Sequence, residues 1–482
     1  MSSQPTRLVC AACGYEAPAD DPFPFRCPRA GTDDGDHVLR RLLDPNLIGS
    51  PEELREIFLS AEENPFIRYR RLFHSYWTAR SAGLSDSDYQ AMVRRLDEAI
   101  AGVEGKGMRE TPFQAVASLG EEVGLAPPGA PWIKDETGNV AGSHKARHLV
   151  GVMLWLEVAR RSAIESGAGW IQPRLSIASC GNAALAAAVV AKAAEQPLDV
   201  FVPPDADAAV LELLGQYGAR ITSCPREETE GEGDPCYRRF REAVAEGALP
   251  FTCQGSENGL TIEGGETLVW EMVSVLLQQD QSLDHLVVQV GGGALASSCI
   301  QAFREAWTMG LVERLPRIHT VQTEGAFPLR RAWDRLAGRI LRRCGENGAG
   351  ILDDTGRLAA AEWIHRRAPD EIVTQELCYA ATHRSEFMWP WEEEPKSLAL
   401  GILDDETYDW LAVVEGMLTT GGVPVVTSES VLQKANDLAR SKTDLEVDPT
   451  GSAGLAGARE LGRLGALGAK DRVAVLFTGV SR

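Results

Sequence analysis

Lysine, glycine and hydroxyl residues at the ends of short apolar runs are the first candidates for chemistry in this chain. Lys145 lies in Asn139-Val140-Ala141-Gly142-Ser143-His144-Lys145-Ala146-Arg147, after the apolar run at Trp132-Ile133 and a polar turn. A helix is expected to begin near Ser143. A lysine in a first turn sits at the positive end of the helix, where a neutral amine is easier to maintain. Imine formation with a carbonyl needs such a neutral amine. Taken alone, the same lysine also reads as a solvated surface residue.

Three further junctions share this plan. Leu175-Ser176-Ile177-Ala178 runs into Ser179-Cys180-Gly181-Asn182-Ala183 and an alanine-rich helix. Successive backbone N–H groups at such a turn can receive a carboxylate or phosphate, although Asn182 could simply cap the helix. Val287-Val288-Gln289-Val290 precedes Gly291, Gly292 and Gly293, then Ala294 and Leu295. Glycines after a buried strand let the backbone approach a phosphate closely. Neither the Walker A lysine pattern nor G-x-G-x-x-G is present, so neither a nucleoside triphosphatase nor a dinucleotide fold is supported. Near the carboxyl end, Val473–Phe477 delivers Thr478 and Gly479.

Together, a lysine after G-S-x, then S-x-G-N, the glycine loop and a terminal T-G resemble the fold type II pyridoxal-phosphate (PLP) enzymes. This is the tryptophan synthase β-subunit superfamily, and within it the chain is most similar to threonine synthase and its relatives. The resemblance runs from about Thr111 to the end and includes Thr111-Pro112 and Asp448-Pro449-Thr450-Gly451-Ser452-Ala453-Gly454-Leu455-Ala456. It implies that Lys145 is the Schiff-base lysine, and afterwards the base and acid. Asn182 would bond the cofactor's ring oxygen, and Gly291, Gly292, Gly293, Ala294 and Leu295 would cradle its phosphate. Thr478 would face the pyridine nitrogen, with Thr450 the lesser candidate. Ser179, Cys180, Gly181 and Ala183 would hold the substrate carboxylate. A neutral hydroxyl at the ring nitrogen makes a weaker electron sink than an aspartate partner. The resemblance therefore implies β- or γ-elimination or replacement on an amino acid, by a lyase of the carbon–oxygen type. A serine/threonine ammonia-lyase (dehydratase) is the alternative within enzymes. A cofactor-free regulatory or scaffold protein is the alternative outside them, opposed by the intact Lys145 and glycine loop.

The chain departs from the threonine synthase pattern. Those enzymes carry N-P-T-G-S-F-K-D-R and S-T-G-N-T, where this chain has Ala141, Cys180 and Ala183 in place of three hydroxyl residues. Losing such donors weakens phosphate binding by roughly a few kcal/mol. A β- or γ-substituted amino acid without a phosphate thus stands beside the phosphorylated substrate of the family. His144 resembles the tryptophan synthase β pattern and is expected to pack against the ring.

The surrounding elements follow from pattern. Residues 1–45, rich in Cys, Pro, Asp and Gly, carry Cys10, Cys13, Cys27 and His37. Three cysteines and a histidine fit a structural zinc site, and the resemblance implies a ribbon here, with Asp33, Asp34 or Asp36 behind His37 as the fourth ligand. Residues 46–106 read as helices, starting at Ser50-Pro51-Glu52-Glu53 and at Leu84-Ser85-Asp86-Ser87, whose apolar face is Met92, Val93, Leu96 and Ile100. From 107 to 482 short β-type runs alternate with helices: Arg174–Ala178, Leu198–Val202, His285–Val290, His319–Gln322 and Val473–Phe477. This predicts an α/β fold with two open parallel-sheet domains, the smaller nested roughly at 146–260. Ligands in such folds sit at the carboxyl ends of strands. Residues 225–235 read as a solvated acidic loop.

The 482 residues carry a formal charge of −21, which disfavours nucleic acid as a partner. Apolar runs are far short of a membrane span, and MSSQPTRLVC offers no signal-peptide core, so the expectation is a cytoplasmic protein without membrane association. The expected partners are a small amino-acid substrate and a second copy of the chain.

Overall fold

The computed structural model describes residues 4–226, 234–348, 353–393 and 395–481. Most of the acidic stretch at 225–235 lies outside the described residues. Among them, no helix is long and apolar enough to cross a membrane.

Among the described residues, twelve strands form three sheets. β1 (Thr6–Cys10) and β2 (Leu39–Leu43) make an antiparallel ribbon. The large sheet contains β3 (Phe113–Ala115), β4 (Trp132–Asp135), β9 (His285–Gln289), β10 (Arg317–Thr323), β11 (Pro424–Thr427) and β12 (Val473–Phe477), in the order β11-β10-β9-β12-β4-β3. All its pairs are parallel except β3 with β4, so the expected open parallel sheet carries one antiparallel edge. The smaller sheet is wholly parallel: β5 (Leu175–Ala178), β6 (Leu198–Val202), β7 (Arg220–Ser223) and β8 (Leu249–Pro250), ordered β7-β6-β5-β8. β9, β12 and β6 are buried along every residue. Successive strand residues point to opposite faces, so helices must cover both. This is why those strands are mostly apolar, broken only by Asp199 in β6 and by His285 and Gln289 at the ends of β9.

The register aligns the strand ends that carry the candidate site. Asp135 pairs with Phe477 and Val475 with Val287, so the loops after β4, β12 and β9 leave the large sheet at one edge. Helix Lys145–Glu165 follows β4, Ala294–Thr308 follows β9 and Asn182–Ala193 follows β5. Thr261–Gln279 is packed against both of the first two.

Both helix starts in the amino-terminal segment are as the sequence implies. Ser50 and Glu53 form a capping box on Pro51–Leu59, and Ser85 and Asp88 form one on Asp86–Glu104. Met92, Val93, Leu96 and Ile100 are buried. Tyr69 and Phe73 pack on Trp270 with ring centroids 5.5 Å apart. From β2, the buried Arg41 reaches Glu263, Glu266 and Glu305 on the central helices. The amino-terminal module is thus tied to the large sheet by charge as well as by aromatic packing.

Candidate functional site

The loop that delivers Lys145 is held in place on both sides. Glu136 N donates to Phe477 O (2.8 Å), His144 N to Thr478 O (3.1 Å) and Val480 N to Gly142 O (2.9 Å). The loop is therefore zipped to the end of β12. Asn139 caps the turn through Val140 N (2.8 Å). Ala141 lies in the left-handed region at φ 51°. The helix begins at Lys145 itself, two residues later than the expected start.

Beneath it, the fully buried Arg147 makes a fork to Glu136 (2.8 and 2.9 Å) and bonds Glu271 (2.6 and 2.9 Å), Thr267 and Thr111. Lys134 donates to Thr111 O (2.7 Å) and pairs with Glu271. Two cations thus meet two carboxylates. Burial alone would raise Glu271, but Arg147 and Lys134 overcome it and hold the carboxyl below its ordinary range. His144 and His148 complete the surroundings of Lys145. Burial first, then the Lys145 charge, lowers both imidazoles, His148 to about 3. Each places Nδ1 against a backbone oxygen, Thr478 O at 3.1 Å and Thr261 O at 2.7 Å, which assigns the proton to Nδ1. Each Nε2 is then a buried acceptor with no partner among the described residues. His144 is buried, with one nitrogen left for a ligand.

The other junctions converge on this edge. Thr478 is buried, and its Oγ1 receives the Gln289 amide at 2.9 Å. Gln289 Nε2 also faces Gly451 O (2.8 Å) and Thr450 O (3.1 Å), which fixes it as the nitrogen. Thr478 therefore accepts from Gln289 and keeps its own proton to donate. Thr450 Oγ1 instead accepts from Gly401 N (3.0 Å) and is turned away from this role. Asn182 opens its helix with its amide nitrogen 2.7 Å from where a Cβ on Gly479 would lie. Ser179, Gly181 and Ala183 are half-buried and Cys180 is exposed, on the turn after β5.

Gly291, Gly292 and Gly293 follow β9, and Gly293 has φ 99° as the lead-in to the helix of the buried Ala294 and Leu295. Against them lies the segment Leu400–Asp409. The Asp404 carboxylate fills the space a Cβ on Gly291 would take and lies 3.8 Å from one on Gly292, and Asp409 N donates to Gly292 O at 2.9 Å. Burial first raises Asp404 to about 6 and Asp409 to about 7, with the Lys145 charge opposing both shifts. A carboxylate thus lies against a glycine loop at a helix start, where backbone N–H groups are of the kind that can receive an anion. That donor set fits the phosphate of PLP. The unpaired Nε2 of His144 and the free proton of Thr478 fit polar groups on its ring.

Asp404, Asp409, Glu136 and Glu271 were not singled out from sequence. A signal existed for one of them, Glu136. Charged residues at Lys134 and Glu136 inside an apolar strand region, with Arg147 close behind, mark a buried network. Asp404 had none, because its partner is far away in sequence.

Cys10, Cys13, Cys27 and His37 cluster with their ligand atoms within 4.8 Å of one another. His37 Nδ1 is 3.4 Å from Cys10 Sγ and 3.6 Å from Cys27 Sγ, and Cys13 Sγ is 3.7 Å from Cys27 Sγ. A tetrahedral zinc with ordinary bond lengths sets S···N at about 3.6 Å and S···S at about 3.8 Å. The donor set fits that ion. Asp33 is not a ligand in this geometry: it bonds His37 Nε2 at 2.8 Å and orients the ring. Asp34 and Asp36 point elsewhere, to Ser385 and Trp410.

The fold is that of an α/β enzyme with two largely parallel sheets, and Lys145, Gly291–Gly293 and Thr478 follow the carboxyl ends of strands in the larger one. The family model described as "Pyridoxal-phosphate dependent enzyme" matches residues 105–479, and the chain belongs to that family. A threonine synthase of Methanosarcina acetivorans is 24% identical over 374 residues, 77% of this chain and 74% of that protein. Among solved structures, maize serine racemase superposes with a TM-score of 0.55 at 18% identity, over 81% of this chain and 93% of that one. A threonine deaminase from T.th. gives 0.53 at 19% identity, over 83% and 98%. The fold type II expectation holds, and the protein is a PLP-dependent enzyme.

Proposed function

We propose that Lys145 carries the cofactor and that the enzyme eliminates or replaces a β- or γ-substituent of an amino acid that bears no phosphate. The observation that carries this reading is the meeting of Lys145, the glycine loop and Thr478 at one sheet edge. Gly291–Leu295 would hold the cofactor phosphate, Asn182 its ring oxygen and Thr478 its ring nitrogen. PLP supplies an electron sink for charge that develops at the substrate Cα. Gln289 makes Thr478 a hydrogen-bond donor without a formal charge, which supports elimination over transamination. Lys145, once displaced by the substrate amine, would take the proton from Cα and return it. Ser179–Ala183 would orient the substrate carboxylate through backbone N–H groups. With Ala141, Cys180 and Ala183 in place of hydroxyls, little is left there to grip a phosphate.

The purified enzyme should show cofactor absorbance in the visible range, and borohydride should fix the cofactor to the peptide containing Lys145. Lys145→Ala should lose both while keeping the melting temperature of the parent. A variant that keeps colour and turnover would refute the assignment. The same three substitutions favour a second reading, the ammonia-lyase. Release of a 2-oxo acid from serine or threonine without an added nucleophile would select it.

At the amino terminus we propose one zinc held by Cys10, Cys13, Cys27 and His37. One equivalent of zinc is expected by metal analysis, and Cys27→Ser should lose it and lower the melting temperature. Full metal content in that variant would exclude Cys27 as a ligand.

A further inference from the structure

The segment Leu400–Asp409 lies across the glycine loop rather than beside it. A Cβ on Gly291 would collide with the Asp404 carboxylate and fall 2.9 Å from Ile402 Cα. One on Gly293 would fall 3.0 Å from Thr407 and 3.2 Å from Asp409. Asp409 Oδ2 also accepts from Gly255 N (3.2 Å), on the loop before helix Thr261–Gln279. The segment is anchored at both ends, by Gly401 N on Thr450 Oγ1 (3.0 Å) and by Trp410 Nε1 on Asp36 Oδ1 (3.2 Å). Between these anchors Glu406 pairs with Arg384, and Trp391 N donates to Asp405 O (3.0 Å).

A backbone nest at a helix start offers a few N–H donors and room for one anion. A carboxylate packed on this loop and a phosphate cannot share the room, because they overlap in space and repel each other. We propose that Asp404 is an internal anion occupying the phosphate cradle of the cofactor-free protein, and that the cofactor enters only when Leu400–Asp409 withdraws. The proposal rests on Gly291–Gly293 being the cradle. Asp404 is then a tethered competitor of any phosphate-bearing ligand.

The test uses the full-length enzyme stripped of cofactor. Wild type, Asp404→Asn and Asp404→Ser are titrated with PLP, with inorganic phosphate and with pyridoxal, which lacks the phosphate. Binding is followed by calorimetry and tryptophan fluorescence rather than by turnover. A charge-assisted hydrogen bond that no longer competes corresponds to roughly ten-fold to a hundred-fold in affinity. Both variants should therefore bind PLP and phosphate about ten-fold or more tightly, with pyridoxal unchanged. Equal or weaker phosphate and PLP binding would overturn the proposal, as would an equal gain for pyridoxal. Gly292→Val separates the two levels of the argument. If it binds PLP like wild type, the cradle itself is misassigned. If it loses PLP while the Asp404 variants match wild type, only the competing role of Asp404 fails.

Discussion

At the scale of single residues, the site depends on a group that touches no ligand. Arg147 follows Lys145 in the same helical turn and anchors that turn to Glu136 and Glu271, both fully buried. A guanidinium can bridge two carboxylates because its fork presents several N–H groups in one plane, whereas a lysine offers a point charge. Arg147→Ala would leave two buried carboxylates with only Lys134 as counter-charge. Breaking a buried pair in this way costs about 3–5 kcal/mol. The urea midpoint should fall accordingly, and cofactor retention should fall with it as the first turn loses its anchor. Arg147→Lys should recover only part of either. A variant within about 1 kcal/mol of wild type would mean that the carboxylates take up protons instead, since removing a charge on both sides relieves the penalty.

At the scale of elements, the helix that starts with Lys145 is located by backbone contact rather than by side chains. A Cβ on Gly151 would lie 2.9 Å from Gly264 Cα, so helices Lys145–Glu165 and Thr261–Gln279 touch glycine to glycine. Gly151→Val must push them apart, and overpacking of this kind costs about 1–3 kcal/mol. Its melting temperature should drop, and the visible absorbance should shift or weaken because Lys145 moves with its helix. Absorbance and stability like those of wild type would show that the pair has slack. Neither glycine stands out in the sequence, where each is one more small residue in a helical stretch. The strands differ in how openly they read. β6 and β12 are buried on both faces and their limits are plain in the sequence, as are the capping boxes at Ser50 and Ser85. β7, written Arg-Ile-Thr-Ser and largely exposed, and the two-residue β8 carry no such pattern and exist because β5 and β6 offer them a ladder. The same division runs through the site. Residues at strand mouths announce themselves through local spacing, whereas Asp404, Asp409 and Glu271 enter it only through tertiary packing.

Across the whole molecule, the buried titratable groups pull stability in opposite directions as pH falls. Five imidazoles are lowered by burial: His74 and His148 to about 3, His144 and His319 well below their ordinary value, and His285 below it. His285 and His319 are fixed as neutral, because Val423 N donates to His319 Nδ1, His319 Nε2 meets His285 Nδ1 at 3.0 Å, and His285 Nε2 meets Asp471 at 2.9 Å. Below about pH 6.5 the unfolded chain takes protons that these rings refuse, so each subtracts up to about 1.4 kcal/mol per pH unit. The raised carboxyls act the other way. Glu263 and Asp409 at about 7, Asp404 at about 6 and Glu266 well above its ordinary value bind protons in the fold before the unfolded chain does. Burial is the first cause in each case, and at Arg41 one cation facing three glutamates leaves it uncompensated. Acidification therefore stabilises through these groups until about pH 4, where unfolded carboxylates protonate too. Between pH 7 and about 4.5 the two sets offset each other, and the urea midpoint should stay nearly flat. Below that, the carboxyl gain is exhausted while His74 and His148 still resist down to about 3, and Asp86, held at about 2 by Arg70, begins to lose its bond. A steep loss should follow. Glu263→Gln with Glu266→Gln removes much of the counterweight, so its decline should begin near pH 6.5, with Arg41 still holding β2 to the central helices through Glu305. If wild type itself declines from pH 6.5, the glutamates around Arg41 are ionised in the fold and the balance between the two sets is not the one drawn from their burial.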